Sequence, residues 1–97
     1  MSVNSMLLAT TKQGKCTQLI EILNELLPET RQFFGCIDMK ILRSHENPSE
    51  FIFFGEWESA ENYQKYLKHR AQQGVLDKIG ELLTAPPEIK IINNTDL

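Results

Sequence analysis

The stretch from Phe51 to Ser59 most constrains the fold, because it has the pattern of a β-strand with two apolar faces. With a two-residue period its side chains divide into two sets, Phe51, Phe53, Gly55 and Trp57 on one face and Ile52, Phe54 and Glu56 on the other. An ordinary half-buried strand is polar on one side. We therefore predict a central strand covered on one face by the chain's own helices and on the other by a second copy of the chain.

The flanking sequence predicts the order strand, helix, strand, strand, helix, strand. An apolar stripe predicts the first helix, which we expect to end at or near Pro28 because proline lacks the amide hydrogen that a helix interior needs. Ser59 is a good N-cap for the second helix, and Gly74 predicts a break in it. The predicted strands are residues 3–10, 36–43, the central stretch and residues 88–93.

This order is typical of a ferredoxin-like α+β fold, βαββαβ, with an antiparallel sheet and its helices on one face. The other face of the sheet then stays bare, and apolar side chains such as Met6, Ile52 and Phe54 would form a large exposed patch. Packing two sheets face to face removes that patch. The sequence therefore predicts a homodimer in which two sheets close into an α+β barrel.

Length and composition are those of one ordinary domain spanning residues 1–97, with a net charge of −3. The weakly acidic balance provides no basic face for nucleic acid, and no apolar run is long enough to cross a membrane. The first residues lack a secretory leader, so we expect a cytoplasmic protein. Cys16 and Cys36 form no paired motif; we expect free, buried thiols, and a disulfide is the alternative. Two cysteines and two histidines without ligand spacing predict no metal site.

The central strand and the helix after it resemble the antibiotic biosynthesis monooxygenase domain. The resemblance rests on residues 51–59, on Glu61, Tyr63 and the run Tyr66 to Arg70, and it continues through Gly74 to Pro86-Pro87-Glu88-Ile89. It implies a dimeric α+β barrel. Members of that family include cofactor-independent quinol oxygenases, haem-degrading enzymes and proteins acting on small signalling molecules, so the fold alone leaves the function open.

Two departures from the family pattern bear on the chemistry. Many members carry a histidine where this chain has Tyr66, and the nearest imidazole here is His69, on a neighbouring helix face. The haem-degrading branch has tryptophan at the place of Tyr66 and a histidine near the place of Leu76; Asn4 alone matches the asparagine of that branch. The resemblance therefore implies an oxygenase acting on a small quinol or hydroxyaromatic substrate with dioxygen and no cofactor. A non-catalytic module that binds a small molecule or haem in the cavity of the same barrel is the alternative.

Six residues are candidates for such a site. His69 and Trp57 are the catalytic candidates: an imidazole can exchange a proton near neutral pH, and an indole N–H can bond a substrate oxygen. Tyr63, Tyr66 and Arg70 share a helix face and are predicted to bind substrate, and Asn4 is predicted to present its amide to the same cavity. Each has a structural alternative. Trp57 and the tyrosines suit plain packing, His69 suits the surface, and Arg70 suits a stem laid over apolar surface. We expect the Glu56 carboxylate, if buried, to find a partner, either Arg70 in an ion pair or a backbone amide.

Overall fold

The computed structural model describes residues 2–95. The strands and helices follow the order that the sequence predicts, with the second helical region divided into two helices. The elements are β1 (Val3–Thr10), α1 (Cys16–Gln32), β2 (Cys36–Arg43), β3 (Glu50–Trp57), α2 (Ala60–Gln72), α3 (Val75–Gly80) and β4 (Glu88–Asn93).

The four strands form one antiparallel sheet in the order β2-β3-β1-β4. The predicted ferredoxin-like α+β fold is confirmed, and β3 is an inner strand between β2 and β1. In this register Leu7 lies opposite Phe53 and Met6 opposite Phe54. Odd-numbered residues of both strands therefore share one face of the sheet, and even-numbered residues share the other.

The helices cover the odd-numbered face. Leu7 and Phe51 form a buried cluster with Leu19 and Leu23 of α1 and with Ile79 of α3. A second cluster joins Met39 and Trp57 of the sheet to Tyr63 of α2. The core therefore lies between one face of the sheet and the helices, as the strand pattern predicts.

The even-numbered face carries no helix within residues 2–95. Met6, Leu8, Ile52 and Phe54 lie side by side at its centre, as paired by the β1–β3 register. Leu42 of β2 and Ile92 of β4 flank them with 45% and 40% of their surfaces exposed. We call these six residues the bare face. They form the exposed apolar patch that the sequence predicts.

The prediction that α1 ends near Pro28 is wrong, since the helix continues to Gln32 with Pro28 inside it. A proline removes one hydrogen bond, to the carbonyl four residues earlier, and here that residue is the exposed Asn24, where water can replace the lost donor. Beyond the proline, side-chain donors hold the helix: the Thr30 hydroxyl donates to the Leu26 carbonyl at 3.0 Å, and so does Nη2 of Arg70 at 3.2 Å. Tertiary contacts outweigh the local preference of proline.

The expected break after α2 is confirmed. Gly74 adopts a left-handed conformation, with φ of +77°, between α2 and α3. At the other end of α2 the Ser59 side chain accepts a hydrogen bond from the Asn62 amide at 3.1 Å, which confirms the predicted N-cap.

Candidate functional site

A cavity of about 330 Å³ lies between the sheet and the three helices. Its volume lies within the range of small-molecule sites. Most of its wall is apolar and is built from every layer of the fold, for example by Leu23, Met39, Phe53, Val75, Leu76 and Ile89. The polar groups that line it belong to Thr30 of α1 and to Tyr63, Tyr66 and Arg70 of α2.

Thr30, Tyr66 and Arg70 form one hydrogen-bonded group at the wall of this cavity. The Tyr66 hydroxyl lies 2.7 Å from Oγ1 of Thr30, and either atom can be the donor. Nε of Arg70 donates to the Tyr66 hydroxyl at 3.0 Å, and Nη2 donates to Oγ1 of Thr30 at 3.0 Å. The guanidinium also lies against the Tyr66 ring, 5.2 Å from its centroid. The phenol is therefore held in place from two sides. We call these three residues the hydroxyl cluster.

Arg70 is buried, with 3% of its surface exposed, and all five of its N–H groups have acceptors. Besides the bonds to Tyr66, Thr30 and the Leu26 carbonyl, Nη1 donates to Oε1 of Glu29 at 2.7 Å and to Oε1 of Gln73 at 3.0 Å. Glu29 balances its charge. The side chain therefore ties α1 to α2, and no N–H is left over for an anionic ligand.

The predicted pair of Arg70 with Glu56 is wrong, because the two residues lie on opposite sides of the sheet. Glu56 belongs to the even-numbered face and accepts a hydrogen bond from the Ser2 hydroxyl at 2.6 Å. The expectation that this carboxylate finds a partner is confirmed, with a different partner.

Trp57 lies behind the tyrosines. It is fully buried, and its indole N–H donates to the Ser5 hydroxyl at 3.2 Å. Its ring centroid is 5.0 Å from that of Tyr66 and 5.3 Å from that of Tyr63. A Cβ on Gly55 would lie 2.7 Å from the indole nitrogen, so the ring fits only because that position is glycine. The indole supports the two tyrosines and has its hydrogen bonded within the protein.

Tyr63 is buried with 2% exposure, and burial raises the pKa of its phenol to about 12. The nearby Ser5 hydroxyl opposes this rise only in part, and Tyr66 adds to it. The Tyr63 hydroxyl therefore stays neutral over the whole physiological range.

His69 and Asn4 do not line the cavity. The His69 ring packs on Phe33 with centroids 5.3 Å apart, its side chain is 40% exposed, and Nε2 lies 3.7 Å from Oε1 of Glu29 at the outer side of the helices. Asn4 belongs to the even-numbered face of β1, and its amide donates to the side chain of Asn94 at 2.8 Å. The expectation that Asn4 shares this cavity is wrong, because alternate residues of a strand point to opposite faces. The structure brings Tyr63, Tyr66 and Arg70 together, with Trp57 behind them.

Thr30, Glu29 and Ser5 are functional candidates that the sequence analysis does not select. Thr30 continues the apolar stripe of Leu23, Leu26 and Leu27 at helical spacing, but only if the helix is extended past the proline. Nothing in the spacing of Ser5 marks it as the acceptor of the indole hydrogen.

The two cysteines lie away from the cavity and are free. Both are partly exposed, so the expectation of buried thiols is wrong. A hydrogen bond with the Thr11 hydroxyl, 3.0 Å from Sγ, is the main cause that lowers the pKa of Cys16. Burial, followed by the charge of Asp38, raises the pKa of Cys36.

Within residues 2–95, no three histidine, cysteine or acidic side chains are grouped so that they could hold a metal ion. No helix of this described range is long and apolar enough to cross a membrane.

A family model described as antibiotic biosynthesis monooxygenase matches residues 3–78, from β1 into α3. The chain belongs to this family. The match covers every residue of the hydroxyl cluster and Trp57, whereas the end of α3 and all of β4 lie beyond it. Among curated proteins, none matches the chain significantly.

Solved structures share the fold at low sequence identity. A conserved protein from Methanosarcina mazei Go1 is 20% identical and superposes with a TM-score of 0.90 over 98% of this chain and 94% of its own. A Nitrosomonas europaea protein with the provisional name antibiotic biosynthesis monooxygenase is 14% identical, with a TM-score of 0.88 over 98% and 91% of the two chains. A protein from Mycobacterium tuberculosis is 21% identical, with a TM-score of 0.81 over 100% and 98%. At these identities the likeness establishes the fold.

Proposed function

We propose that this protein is a cofactor-independent monooxygenase that oxidises a small quinol or hydroxyaromatic substrate with dioxygen. Membership of the antibiotic biosynthesis monooxygenase family supports the reaction class. The observation that carries the proposal is the cavity itself, an apolar chamber of about 330 Å³ with a hydroxyl cluster in its wall. A flat aromatic body suits the apolar wall, and its oxygen suits the Tyr66 hydroxyl.

The substrate supplies the electrons in this reaction. Loss of its hydroxyl proton gives an electron-rich aryloxide, which reduces dioxygen and forms a carbon–oxygen bond at a ring carbon that bears hydrogen. Breaking the oxygen–oxygen bond and losing that hydrogen leave a second carbonyl on the ring of a monophenol, and a new hydroxyl on the quinone formed from a quinol. One oxygen atom stays in the quinone and the other leaves as water, so the four electrons lost by the phenol are those gained by dioxygen.

We assign the residues as follows. Tyr66 contacts the substrate oxygen, and Arg70 acts through Tyr66, because its own N–H groups are all bonded within the protein. Tyr63 and Trp57 hold the aromatic wall in shape, the former also as a neutral hydroxyl. A catalytic role for His69 remains a prediction: if the imidazole takes the substrate proton, His69→Ala lowers turnover, and an unchanged rate removes it from the mechanism.

We propose further that two chains pair through the bare face. Its apolar residues are of the kind that single soluble subunits rarely expose, and the register places Met6, Leu8, Ile52 and Phe54 in one continuous patch. Two such faces packed together would give the barrel of a homodimer and would enclose the sheet on both sides. Sedimentation at micromolar concentration tests this, and a well-folded single subunit would contradict it. The two free cysteines fit a reducing cytoplasm, where we place the protein.

The test of the activity is aerobic and anaerobic incubation with naphthol and with menadiol. We expect product formation above the spontaneous rate only with dioxygen, and one labelled oxygen in the naphthoquinone when the gas is isotopically labelled. Tyr66→Phe, which removes one hydroxyl and leaves the ring, serves as the matched variant. Rates equal to the spontaneous rate for both substrates would refute the monooxygenase.

A non-catalytic binding module is the second candidate, and one observation favours it: among the described residues no histidine lines the cavity. Such a module would bind naphthol or menadiol without changing their oxidation rates. A haem titration tests the haem form of this alternative. The absence of a shift in the haem absorption band would end it.

A further inference from the structure

We propose that Tyr66 and Thr30 form a reversible hydrogen-bond pair that lets the cavity bind either a hydroxyl or a carbonyl oxygen of a neutral aromatic ligand. Thr30 is then a positioning residue, which determines whether the phenol accepts or donates. The inference rests on the cavity being the ligand site of the proposed function.

The hydrogen atoms of the hydroxyl cluster can be placed in two ways. Thr30 and Tyr66 have one hydroxyl hydrogen each, and their oxygens are 2.7 Å apart with either able to donate. The Thr30 hydroxyl also lies 3.0 Å from the Leu26 carbonyl, to which it can donate instead. Arg70 has no acceptor lone pair and donates in both cases.

In the first arrangement Thr30 donates to the Leu26 carbonyl and Tyr66 donates to Thr30. The phenol oxygen then accepts from Nε of Arg70 and keeps one lone pair, which can accept the hydrogen of a ligand hydroxyl. In the second arrangement Thr30 donates to Tyr66. The phenol hydrogen is then free and can be donated to a ligand carbonyl.

Neither arrangement leaves a buried acceptor without a donor. When Thr30 turns towards Tyr66, the Leu26 carbonyl still accepts from Nη2 of Arg70 at 3.2 Å, and Oγ1 of Thr30 still accepts from the same nitrogen at 3.0 Å. Since an unsatisfied buried polar group is what makes such a rearrangement unfavourable, the first arrangement is favoured in the empty cavity, and a ligand carbonyl offsets the cost of the second by accepting the free phenol hydrogen. The Arg70 guanidinium donates the same hydrogen bonds in both arrangements.

This property matches a reaction that converts a hydroxyl into a carbonyl. The substrate hydroxyl meets the accepting phenol, and the quinone carbonyl meets the donating one, in the same place. One polar contact therefore serves the ligand before and after oxidation, and only the hydroxyl hydrogens of Thr30 and Tyr66 reorient.

The test is anaerobic titration calorimetry of the full chain with naphthol and with naphthoquinone, where no turnover occurs. Thr30→Val keeps the shape of the side chain and removes its hydroxyl, so that with naphthol bound the phenol and naphthol hydrogens no longer both have an acceptor, whereas bound naphthoquinone still accepts the phenol hydrogen. We expect naphthol to bind about three- to tenfold more weakly, the effect of about one hydrogen bond, and naphthoquinone to bind within about twofold of the wild type. Thr30→Ser keeps the hydroxyl and should restore the wild-type ratio of the two affinities.

Other outcomes overturn the inference. An equal loss for both ligands in Thr30→Val would make Thr30 purely structural, and no change for either would remove the pair from the site. If Thr30→Val does not fold, Tyr66→Phe decides: both ligands should weaken, and undiminished binding refutes the proposal. Binding with the predicted ratios but no aerobic turnover refutes the monooxygenase alone. Turnover with an unaltered ratio in Thr30→Val refutes this inference alone.

Discussion

Replacing Arg70 with methionine should destabilise the fold strongly, because this one side chain holds α1 and α2 together. Methionine fills much of the volume of the arginine stem but donates no hydrogen bond. Three acceptors, the Leu26 carbonyl and the hydroxyls of Thr30 and Tyr66, would each lose a donor. The bond to Glu29 adds little, since that carboxylate is 59% exposed and can bind water instead.

A net contribution of about 0.5–1.5 kcal/mol for each of these three bonds gives a loss of about 1.5–4.5 kcal/mol in the free energy of unfolding. That is a large part of the ~5–15 kcal/mol that stabilises a typical domain. Arg70→Lys should recover only part of the loss, because an ammonium keeps the charge but cannot reproduce the planar fork of five donors. The comparison separates the charge from the geometry of the donors.

Urea titration followed by circular dichroism measures the effect, with the concentration of chain held constant so that self-association does not alter the midpoint. Lys65→Met is the matched control, since Lys65 is a long cation on the same helix that pairs with Glu61 at 3.3 Å with both side chains largely exposed. It should change stability by less than about 0.5 kcal/mol. If Arg70→Met loses no more than this control, the network does not hold the helices together, and our account of α1 beyond its proline is refuted.

Three further predictions concern other parts of the structure. Gly55→Ala should cost about 1–3 kcal/mol in urea titration and shift the emission of Trp57, because a Cβ there would lie 2.7 Å from the indole nitrogen; an unshifted spectrum would contradict the packing. Cys16, whose pKa is lowered, should react faster with an aromatic disulfide at neutral pH than Cys36, whose pKa is raised, when each is the single thiol in a serine variant; the reverse order would contradict both environments. Tyr63, with a pKa of about 12, keeps its proton in the folded state above pH ~10, where an unfolded chain loses it, so this phenol should make stability fall between pH ~10 and ~12. Tyr63→Phe should remove that part of the decline, and an identical decline in the variant would show that another group causes it.

The sequence predicts the sheet and the helix faces well, because period and burial are linked. The alternation of residues in β3 correctly divides them between the helix-covered and the bare face. This prediction does not require the identity of any partner strand. The error at Pro28 arises from a local rule applied to a helix whose end is held by contacts with α2. That single error hides Thr30, which lies past the proline and completes the hydroxyl cluster.

The candidate site is less predictable than the fold, because it depends on where long side chains end. The spacing of Tyr63, Tyr66 and Arg70 predicts their shared helix face, and the cavity confirms that they lie together. No spacing rule predicts that all of the Arg70 N–H groups are bonded to α1, to α2 and to Gln73 directly after it. Three of the five acceptors are on α1, about forty residues earlier in the chain. The two-residue period of β1 puts Asn4 on the even-numbered side of the sheet, so the period alone excludes it from the cavity.

Arg70 both links α1 to α2 and positions the Tyr66 hydroxyl at the cavity, and this combination limits how the protein can change during evolution. A substitution of Arg70 that alters the polar contact of the cavity also removes hydrogen bonds between α1 and α2. Such variants should therefore misfold before any change in activity can be selected. Residues such as Val75, Leu76 and Ile89 line the same cavity but take no part in the hydrogen bonds of Arg70 between α1 and α2. New ligand preferences should therefore arise first through changes in the size of the apolar side chains that line the cavity, while the contact with the ligand oxygen stays unchanged.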